Sequence, residues 1–255
     1  MFPRPSGIVT LTTDFGTDDP YVGIMKGALL QAAPKVPCID VSHAVPPQDV
    51  AGGAFVLWSI VGRFPQGSVH VAVVDPGVGT ERRLLAAAAH DCYWLAPDNG
   101  VLAPVLAAAG VHEVRAIDLA HLGIRPASQT FHGRDVLAPV GGWLASGRYG
   151  FSAMGPRIAD AVAGDALFDL PPRVVHIDRF GNAITNVPAA AATTARAVRI
   201  GGDEAPLRRT YGDVGEGHLL AYVGSFGLVE VAVRGGSAAQ TLGLQRGARV
   251  ELVGA

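Results

Sequence analysis

Apolar runs and helix-like stretches alternate over the first two thirds of the chain. Three continuous apolar runs predict buried strands, at residues 8–12, 38–41 and 68–74. Residues 21–33 and 48–63 instead have apolar side chains at helical spacing, and Pro34 would end the first of these helices. Alternating strands and helices are typical of an α/β domain whose mainly parallel sheet is covered on both faces.

The same pattern continues to about residue 146. It predicts a strand pair joined by a turn, then a short helix and a further strand, at residues 84–89, 92–95, 101–109 and 113–118. A polar segment at 128–135 then opens a last helix. We therefore expect one α/β domain over residues 1–168.

The last third of the chain has a different pattern. Residues 169–172, Asp-Leu-Pro-Pro, are typical of a linker. Short β-rich runs separated by glycines and turns follow, at residues 173–177, 183–187, 198–200, 219–223, 229–233 and 249–253. This pattern predicts an all-β domain over residues 169–255, built as a small barrel.

Composition and charge narrow the possible partners. The 255-residue chain has 20 basic and 22 acidic residues, a balance that does not favour nucleic acid or an anionic membrane and suits a small ligand. Cys38 and Cys92 both lie in apolar runs, as buried thiols do in a reducing cytosol. No apolar segment follows Arg4 as in a signal peptide, and the apolar window at 54–62 is too short to span a bilayer. We expect a cytoplasmic protein.

The loop after the third strand is the first candidate site. In the segment VAVVDPGVGTERR, residues 71–83, the strand ends at Asp75, and Arg82 follows seven residues later. Chemistry in open α/β sheets is placed at such strand ends, and a neighbouring Arg would keep the carboxylate ionised. The loop has no Lys-Ser/Thr to bind a phosphate, which argues against a nucleoside triphosphate site. A glycine turn in which Asp75 caps the next element is the structural alternative.

Three more side chains in this half are candidates. Asp14 follows the first strand, where a carboxylate can accept hydrogen bonds from ribose hydroxyls. His132 precedes a helix, whose positive end would lower the pKa of the ring and keep it neutral. His43 could contact a ligand or be satisfied by nearby backbone.

Two loops in the β-rich half are dense in polar side chains. One runs from Asp178 to Asn186 and includes Asn182; the other runs from Tyr222 through Ser225 and Phe226 to Glu230. They could be turns held by Asx-type hydrogen bonds. They could equally bind a ligand, with an amide for a purine edge, a ring for stacking and carboxylates for an ammonium group.

Six segments in order resemble one family. They are TTDFGTDDPYVG at 12–23, DVSHAVPPQD at 40–49, VDPGVGTERR at 74–83, APDNG at 96–100, TFHGRD at 130–135 and IDRFGNAITN at 177–186. Together they resemble the adenosine-forming S-adenosyl-L-methionine (SAM) hydrolases, or SAM hydroxide adenosyltransferases, which are related to the fluorinating and chlorinating SAM enzymes. Because the matches cover both halves in order, they are more specific than any one motif.

The resemblance implies a fold, an assembly and a site. It implies an α/β domain followed by a β-barrel, and a homotrimer that binds SAM between one subunit's N-terminal domain and a neighbour's barrel. The implied catalytic residues are Asp75, Arg82 and His132. Asp14 would hold the ribose and Asp178 the methionine end, and the implied adenosine contacts are Asn182, Ser225, Glu230 and Val233, beside Tyr222 and Phe226. Residues 224–227, Gly-Ser-Phe-Gly, depart from the family's more polar stretch.

The implied reaction is in-line displacement at the 5′ carbon of SAM by water, giving adenosine and L-methionine. Methionine leaves as a neutral thioether, so we expect neither a general acid, nor a metal, nor a cofactor. Asp75 and His132 would hold the water while Arg82 fixes the carboxylate. An adjacent Arg weakens Asp75 as a base, so His132 is the expected proton acceptor.

Three alternatives to a SAM hydrolase can be compared with the sequence. In a SAM halogenase we would expect a non-acidic residue in place of Asp75 and a small one in place of His132, which argues for water here. A non-catalytic SAM or adenosine binding protein could keep all three residues. An α/β protein whose glycine loops are only turns would have to match six ordered motifs by accident.

Overall fold

The computed structural model describes residues 2–107, 110–164 and 167–254. They group into two compact units that divide between residues 165 and 166, and the sequence analysis had placed the boundary between 168 and 169. Each unit is described by itself.

The first unit has seven strands and four α-helices among its described residues. The strands are β1 Val9–Thr13, β2 Cys38–Ser42, β3 Val69–Val73, β4 Leu84–Ala89, β5 Cys92–Pro97, β6 Val111–Ala116 and β7 Arg157–Ile158. The helices are α1 Tyr21–Ala32, α2 Val50–Ser59, α3 Ala103–Ala107 and α4 Ala138–Ala145. The end of the predicted helix at 101–109 lies outside the described residues. The two-residue strand β7 was missed, since so short a run has no periodicity.

The seven strands form one sheet in the order β2-β1-β3-β5-β4-β6-β7. Neighbours among β2, β1, β3 and β5 pair in parallel, whereas β4 pairs antiparallel with both β5 and β6. Five of the seven strands therefore run in one direction, with β4 and β7 opposed. The predicted mostly parallel sheet and the predicted strand pair at β4 and β5 are both confirmed.

Helices cover both faces of this sheet. Met25 and Leu29 of α1 and Leu144 of α4 belong to a buried cluster with one face of the strands. Leu57 of α2 and Val105 of α3 belong to a second cluster on the other face. The side chains of β4 alternate between the two clusters, as the two-residue period of a strand requires. Burial on both faces explains why β4, Leu-Leu-Ala-Ala-Ala-Ala, is apolar throughout.

The second unit is β-rich and antiparallel. Its strands are β8 Val174–Ile177, β9 Ala183–Pro188, β10 Ala197–Ile200, β11 Asp203–Pro206, β12 Leu219–Val223, β13 Leu228–Val233 and β14 Val250–Val253, with a short helix α5 at Ala238–Thr241. They form a sheet of order β12-β13-β9-β8 and another of order β11-β10-β14. Isolated bridges link Arg173 to Arg249 and Leu207 to Ala221. Strand β11 was missed because its sequence, Asp-Glu-Ala-Pro, is mostly polar.

No helix in the described part of the chain has both the length and the apolar character needed to cross a bilayer.

Candidate active site

Asp75 and Arg82 form a two-point ion pair beside the end of β3. Nε of Arg82 donates to Oδ1 of Asp75 at 2.6 Å, and Nη2 donates to the other carboxylate oxygen. The two side chains are only 5% and 8% exposed, so water screens the pair weakly. This matches the predicted charge pair, and Arg82 fixes the plane of the carboxylate.

His132 is the third member of this cluster. Its Nδ1 lies 3.3 Å from Nη1 and 3.2 Å from Nη2 of Arg82. An arginine can only donate, so Nδ1 must accept and the neutral ring carries its proton on Nε2. Burial, and then the charge of Arg82, lower the pKa of His132. The shift has the predicted direction, and its causes are burial and the positive charge of Arg82.

The tautomer bears on the chemistry expected of His132. A neutral ring with Nδ1 engaged by Arg82 and a proton on Nε2 has no free lone pair. In this arrangement His132 can donate a hydrogen bond from Nε2 but cannot take a proton from water. This differs from the role of proton acceptor expected from the sequence. A π-helical turn, Gly133–Leu137, starts directly after His132, and such turns are frequent at functional sites.

Asp14 lies at the same edge of the sheet as Asp75. Strands β1 and β3 are parallel neighbours with Thr13 opposite Val73, so the residues that follow them lie close together. Oδ2 of Asp14 accepts a hydrogen bond from the backbone N–H of Gln48 at 2.7 Å. Gln48 has φ of 64°, a left-handed conformation that is uncommon outside glycine. The other carboxylate oxygen can accept from a ligand.

A pocket of about 400 Å³ brings these residues together, within the range of small-molecule sites. Asp14, Asp75 and His132 line it. Three aromatic rings that the sequence analysis did not single out also line it: Phe15, Tyr21 and Phe131, whose centroids lie 5.6 to 5.9 Å apart. All three rings are inside the quoted motifs TTDFGTDDPYVG and TFHGRD, which was the available signal.

The predicted site residues of the second unit lie in two groups. In the first, Oδ1 of Asp178 accepts from the backbone N–H groups of Phe180 and Asn182 at 2.9 Å. Oδ2 accepts from the side-chain amide of Asn182 at 2.8 Å. The loop therefore has the Asx-type hydrogen bonds of the structural alternative. It also holds the amide of Asn182 in one orientation, as a binding site would require.

Tyr222 and Glu230 form the second group. They lie opposite each other on β12 and β13, and the Tyr222 hydroxyl donates to Oε2 of Glu230 at 2.5 Å. The hydroxyl of Tyr211 lies 2.7 Å from that of Tyr222. Burial raises the pKa of the Glu230 carboxyl. Burial, and then the hydrogen bond to Glu230, raise the pKa of the Tyr222 hydroxyl above its usual range. Tyr211 was missed because it lies in no recognisable motif.

A second pocket, of about 430 Å³, lies within this unit. Asn182 and Val233 line it, together with Phe180 and Tyr211. Phe180 is 76% exposed, so most of its ring is accessible to a ligand in this pocket. Ser225 and Phe226 lie in the turn that joins β12 to β13.

His43 has structural partners rather than a place in either pocket. His43 is buried, with Nδ1 at 2.8 Å from Oγ1 of Thr13 and Nε2 at 3.0 Å from Oδ1 of Asp40. Its partners are thus side chains rather than the backbone expected from the sequence. Among residues 2–107, 110–164 and 167–254, no group of three or more His, Cys, Asp and Glu side chains could hold a metal ion.

Each of the two units matches a domain of the same known family. Residues 9–155 match the SAM hydroxide adenosyltransferase N-terminal domain, and residues 172–251 match the C-terminal domain of the same family. The chain belongs to the SAM hydroxide adenosyltransferase family. The resemblance found in the six sequence motifs is therefore confirmed.

Individual proteins are also similar to this chain over nearly its whole length. A protein of Thermus thermophilus named (R)-S-adenosyl-L-methionine hydrolase is 42% identical, over 96% of this chain and 99% of its own length. The crystal structure of an uncharacterized conserved protein from Thermotoga maritima, 34% identical, superimposes with a TM-score of 0.88 over 96% of this chain and 99% of its own. A fluorinase of Nocardia brasiliensis is more distant, at 27% identity over 96% of both chains.

Proposed function

We propose that this protein hydrolyses SAM to adenosine and L-methionine by attack of water on the 5′ carbon. The observation that carries the proposal is the Asp75–Arg82–His132 cluster at the edge of a pocket of ligand size. The named activity of the Thermus relative supports it. That name specifies the R configuration, and we propose the same sulfonium epimer as the preferred substrate.

The charges of the pocket suit a sulfonium substrate. Asp14 and Asp75 both line the pocket, and the charge of Asp14, whose hydrogen bond comes from the neutral backbone of Gln48, favours a cation there. A carboxylate near the reacting carbon would repel a halide ion but can accept a hydrogen bond from water. The electrostatics therefore favour water over halide as the nucleophile, although the family is related to fluorinases.

The attacking water would lose its proton late in this reaction, after the new carbon–oxygen bond has begun to form. Arg82 contacts each oxygen of Asp75, so one lone pair on each oxygen is already occupied before attack. As the carbon–oxygen bond forms and the carbon–sulfur bond breaks, the bond pair leaves with sulfur and the attacking water becomes strongly acidic. Asp75 can accept the proton at that stage, while Nε2–H of His132 orients the water oxygen. The residues thus position the nucleophile rather than create hydroxide beforehand. No metal and no cofactor are needed in this scheme.

The second-unit residues would bind the substrate. We propose that Asn182, Tyr222, Ser225, Phe226, Glu230 and Val233 hold the adenosine and that Asp178 lies near the methionine end. The resemblance implies a homotrimer in which the substrate contacts two subunits, so we propose that assembly as the active form. Light scattering on the purified protein would measure the mass, and a stable active monomer would contradict the trimer.

The decisive experiment uses oxygen-18 water. Purified protein is incubated with each SAM epimer in halide-free buffer, and the products are analysed by mass spectrometry. Adenosine labelled at its 5′ oxygen, with unlabelled methionine, is the expected result, and it should form faster from the R epimer. SAM that binds and stays intact would contradict hydrolysis and favour a binding protein. A 5′-halogenated product on addition of chloride or fluoride would favour a halogenase.

Two further features belong to this proposal. We propose that the seven strands of the second unit close into a barrel, because the bridges Arg173–Arg249 and Leu207–Ala221 link the two sheets at both edges. We also propose a cytoplasmic location, where Cys38 and Cys92 would stay reduced; both are free thiols in the structure.

A further inference from the structure

One turn contacts both ends of the loop that carries Asp75 and Arg82. It begins at Pro97, the last residue of β5, and comprises residues 97–100, Pro-Asp-Asn-Gly. Strand β5 lies between β3, with which it is parallel, and β4, with which it is antiparallel. The end of β5 therefore lies next to the residue before Asp75 and to the residue after Arg82. The sequence motif APDNG, which the mechanism above does not use, lies here.

Asn99 holds the first end of the loop. Its Nδ2 donates to the backbone carbonyl of Val74 at 2.8 Å, and its Oδ1 accepts from the backbone N–H of Val101 at 3.2 Å. A carbonyl can only accept and a backbone N–H can only donate, so the two partners fix which way the amide points. Aspartate has the same shape but cannot donate to Val74.

Asp98 holds the other end. Its side chain is 3% exposed, and its Oδ2 accepts from Nε of Arg83 at 2.8 Å and lies 2.6 Å from Nη2 of the same guanidinium. Its backbone N–H donates to the carbonyl of Arg83 at 3.0 Å. Its Oδ1 accepts from the backbone N–H of Val162 at 2.7 Å, so the turn is anchored to a further segment.

We propose that Asp98 and Asn99 are positioning residues for catalysis, which hold the backbone on either side of Asp75 and Arg82. They act through Val74 and Arg83 and do not touch the substrate. The bidentate geometry of the Asp75–Arg82 pair depends on the distance between the two ends of the loop, and reaction rates depend steeply on such positions. This inference rests on the proposed function for its effect on rate.

The test uses two isosteric variants and a matched control. Asn99→Asp removes the donor to Val74, and Asp98→Asn removes the charge that binds Arg83 while an oxygen remains for Val162. Asp160→Asn is the control, because Asp160 is also an ion-pair partner of Arg83 but is 78% exposed. We expect kcat to fall about tenfold or more in the two isosteric variants, with KM for SAM within about threefold of wild type. The control should change neither.

A second readout does not depend on turnover. Hydrogen exchange of peptides covering residues 75–82 should be faster in Asn99→Asp and Asp98→Asn than in wild type and Asp160→Asn, with the remaining peptides unchanged. If the wild type does not hydrolyse SAM, the proposed function fails, and exchange alone decides whether the turn holds the loop. Unchanged exchange, or kcat within about twofold of wild type in both folded variants, would overturn the inference. So would a rate loss matched by a general loss of protection, because it would indicate a structural role only.

Discussion

Nδ1 of His132 lies 3.2 Å from the same Arg82 nitrogen that pairs with Asp75. One guanidinium thus contacts both of the other residues in the cluster. It fixes the orientation of the carboxylate, disfavours a second positive charge on the ring, and selects the ring tautomer.

The first prediction concerns the protonation of His132. Its pKa is lowered from 6.5 by burial and by Arg82, so the neutral ring should be the major form at pH 6.5 and the charged form should dominate only at more acidic pH. An NMR titration of the ring should give a pKa below 6.5 in the wild type. In Arg82→Gln the pKa should rise, because the cation is lost and Asp75, which raises it, remains. A value at or above 6.5 in the wild type would contradict this assignment.

Removing the charge of Asp75 should cost both activity and stability. Asp75→Asn leaves the nearly buried Arg82 without its counter-ion, and breaking such a pair costs about 3 kcal/mol. We expect turnover to fall about 100-fold or more, since the amide can neither take the proton nor offset the sulfonium charge. Urea unfolding and product assays measure the two effects. Glu204→Gln, which breaks an exposed ion pair with Arg199, is the control and should change neither.

His70 should make stability depend on pH. It is 1% exposed, its Nδ1 lies 2.8 Å from Oγ1 of Thr10, and burial lowers its pKa from 6.5 to about 3. The unfolded chain therefore binds a proton that the folded chain does not, so this contribution is complete above pH 6.5 and is lost as pH falls from 6.5 towards 3.

The loss should amount to about 1.4 kcal/mol per pH unit within that window. Urea unfolding at several pH values measures it in the wild type and in His70→Gln, which cannot titrate. The difference between the two slopes isolates this histidine from the carboxylates. Equal slopes in the two proteins would contradict the prediction.

Gly224 should not tolerate a side chain. A Cβ at this position would lie 1.8 Å from Oε1 of Glu230, whose position is fixed by burial and by Tyr222. We expect Gly224→Ala to cost about 1 to 3 kcal/mol and to weaken adenosine binding. Gly212→Ala is the matched control in the same unit, because a Cβ there has no neighbour within 4 Å. Calorimetry would compare the two, and equal adenosine affinities would argue against a role for Glu230 in binding.

Local patterns in the sequence were sufficient to predict the positions of many strands and helices. The apolar runs and helical periodicities located β1, β3, α1 and α2 to within a few residues. The change at the linker identified a separate β-rich region. These signals are local because strand and helix periods are set by neighbouring residues. Strand β11 had no such signal, since its polar residues are held by pairing with β10.

The sequence by itself determined the family and the candidate residues Asp75, Arg82 and His132, because ordered motifs and turn residues can be recognised without coordinates. Only the tertiary structure decided that Arg82 engages Nδ1 of His132 and that Asn99 binds Val74. The physical reason is the order of strands in the sheet. Strand β5 lies between β3 and β4, which brings together residues that are far apart in the chain. Sequence spacing alone contains no information about that order.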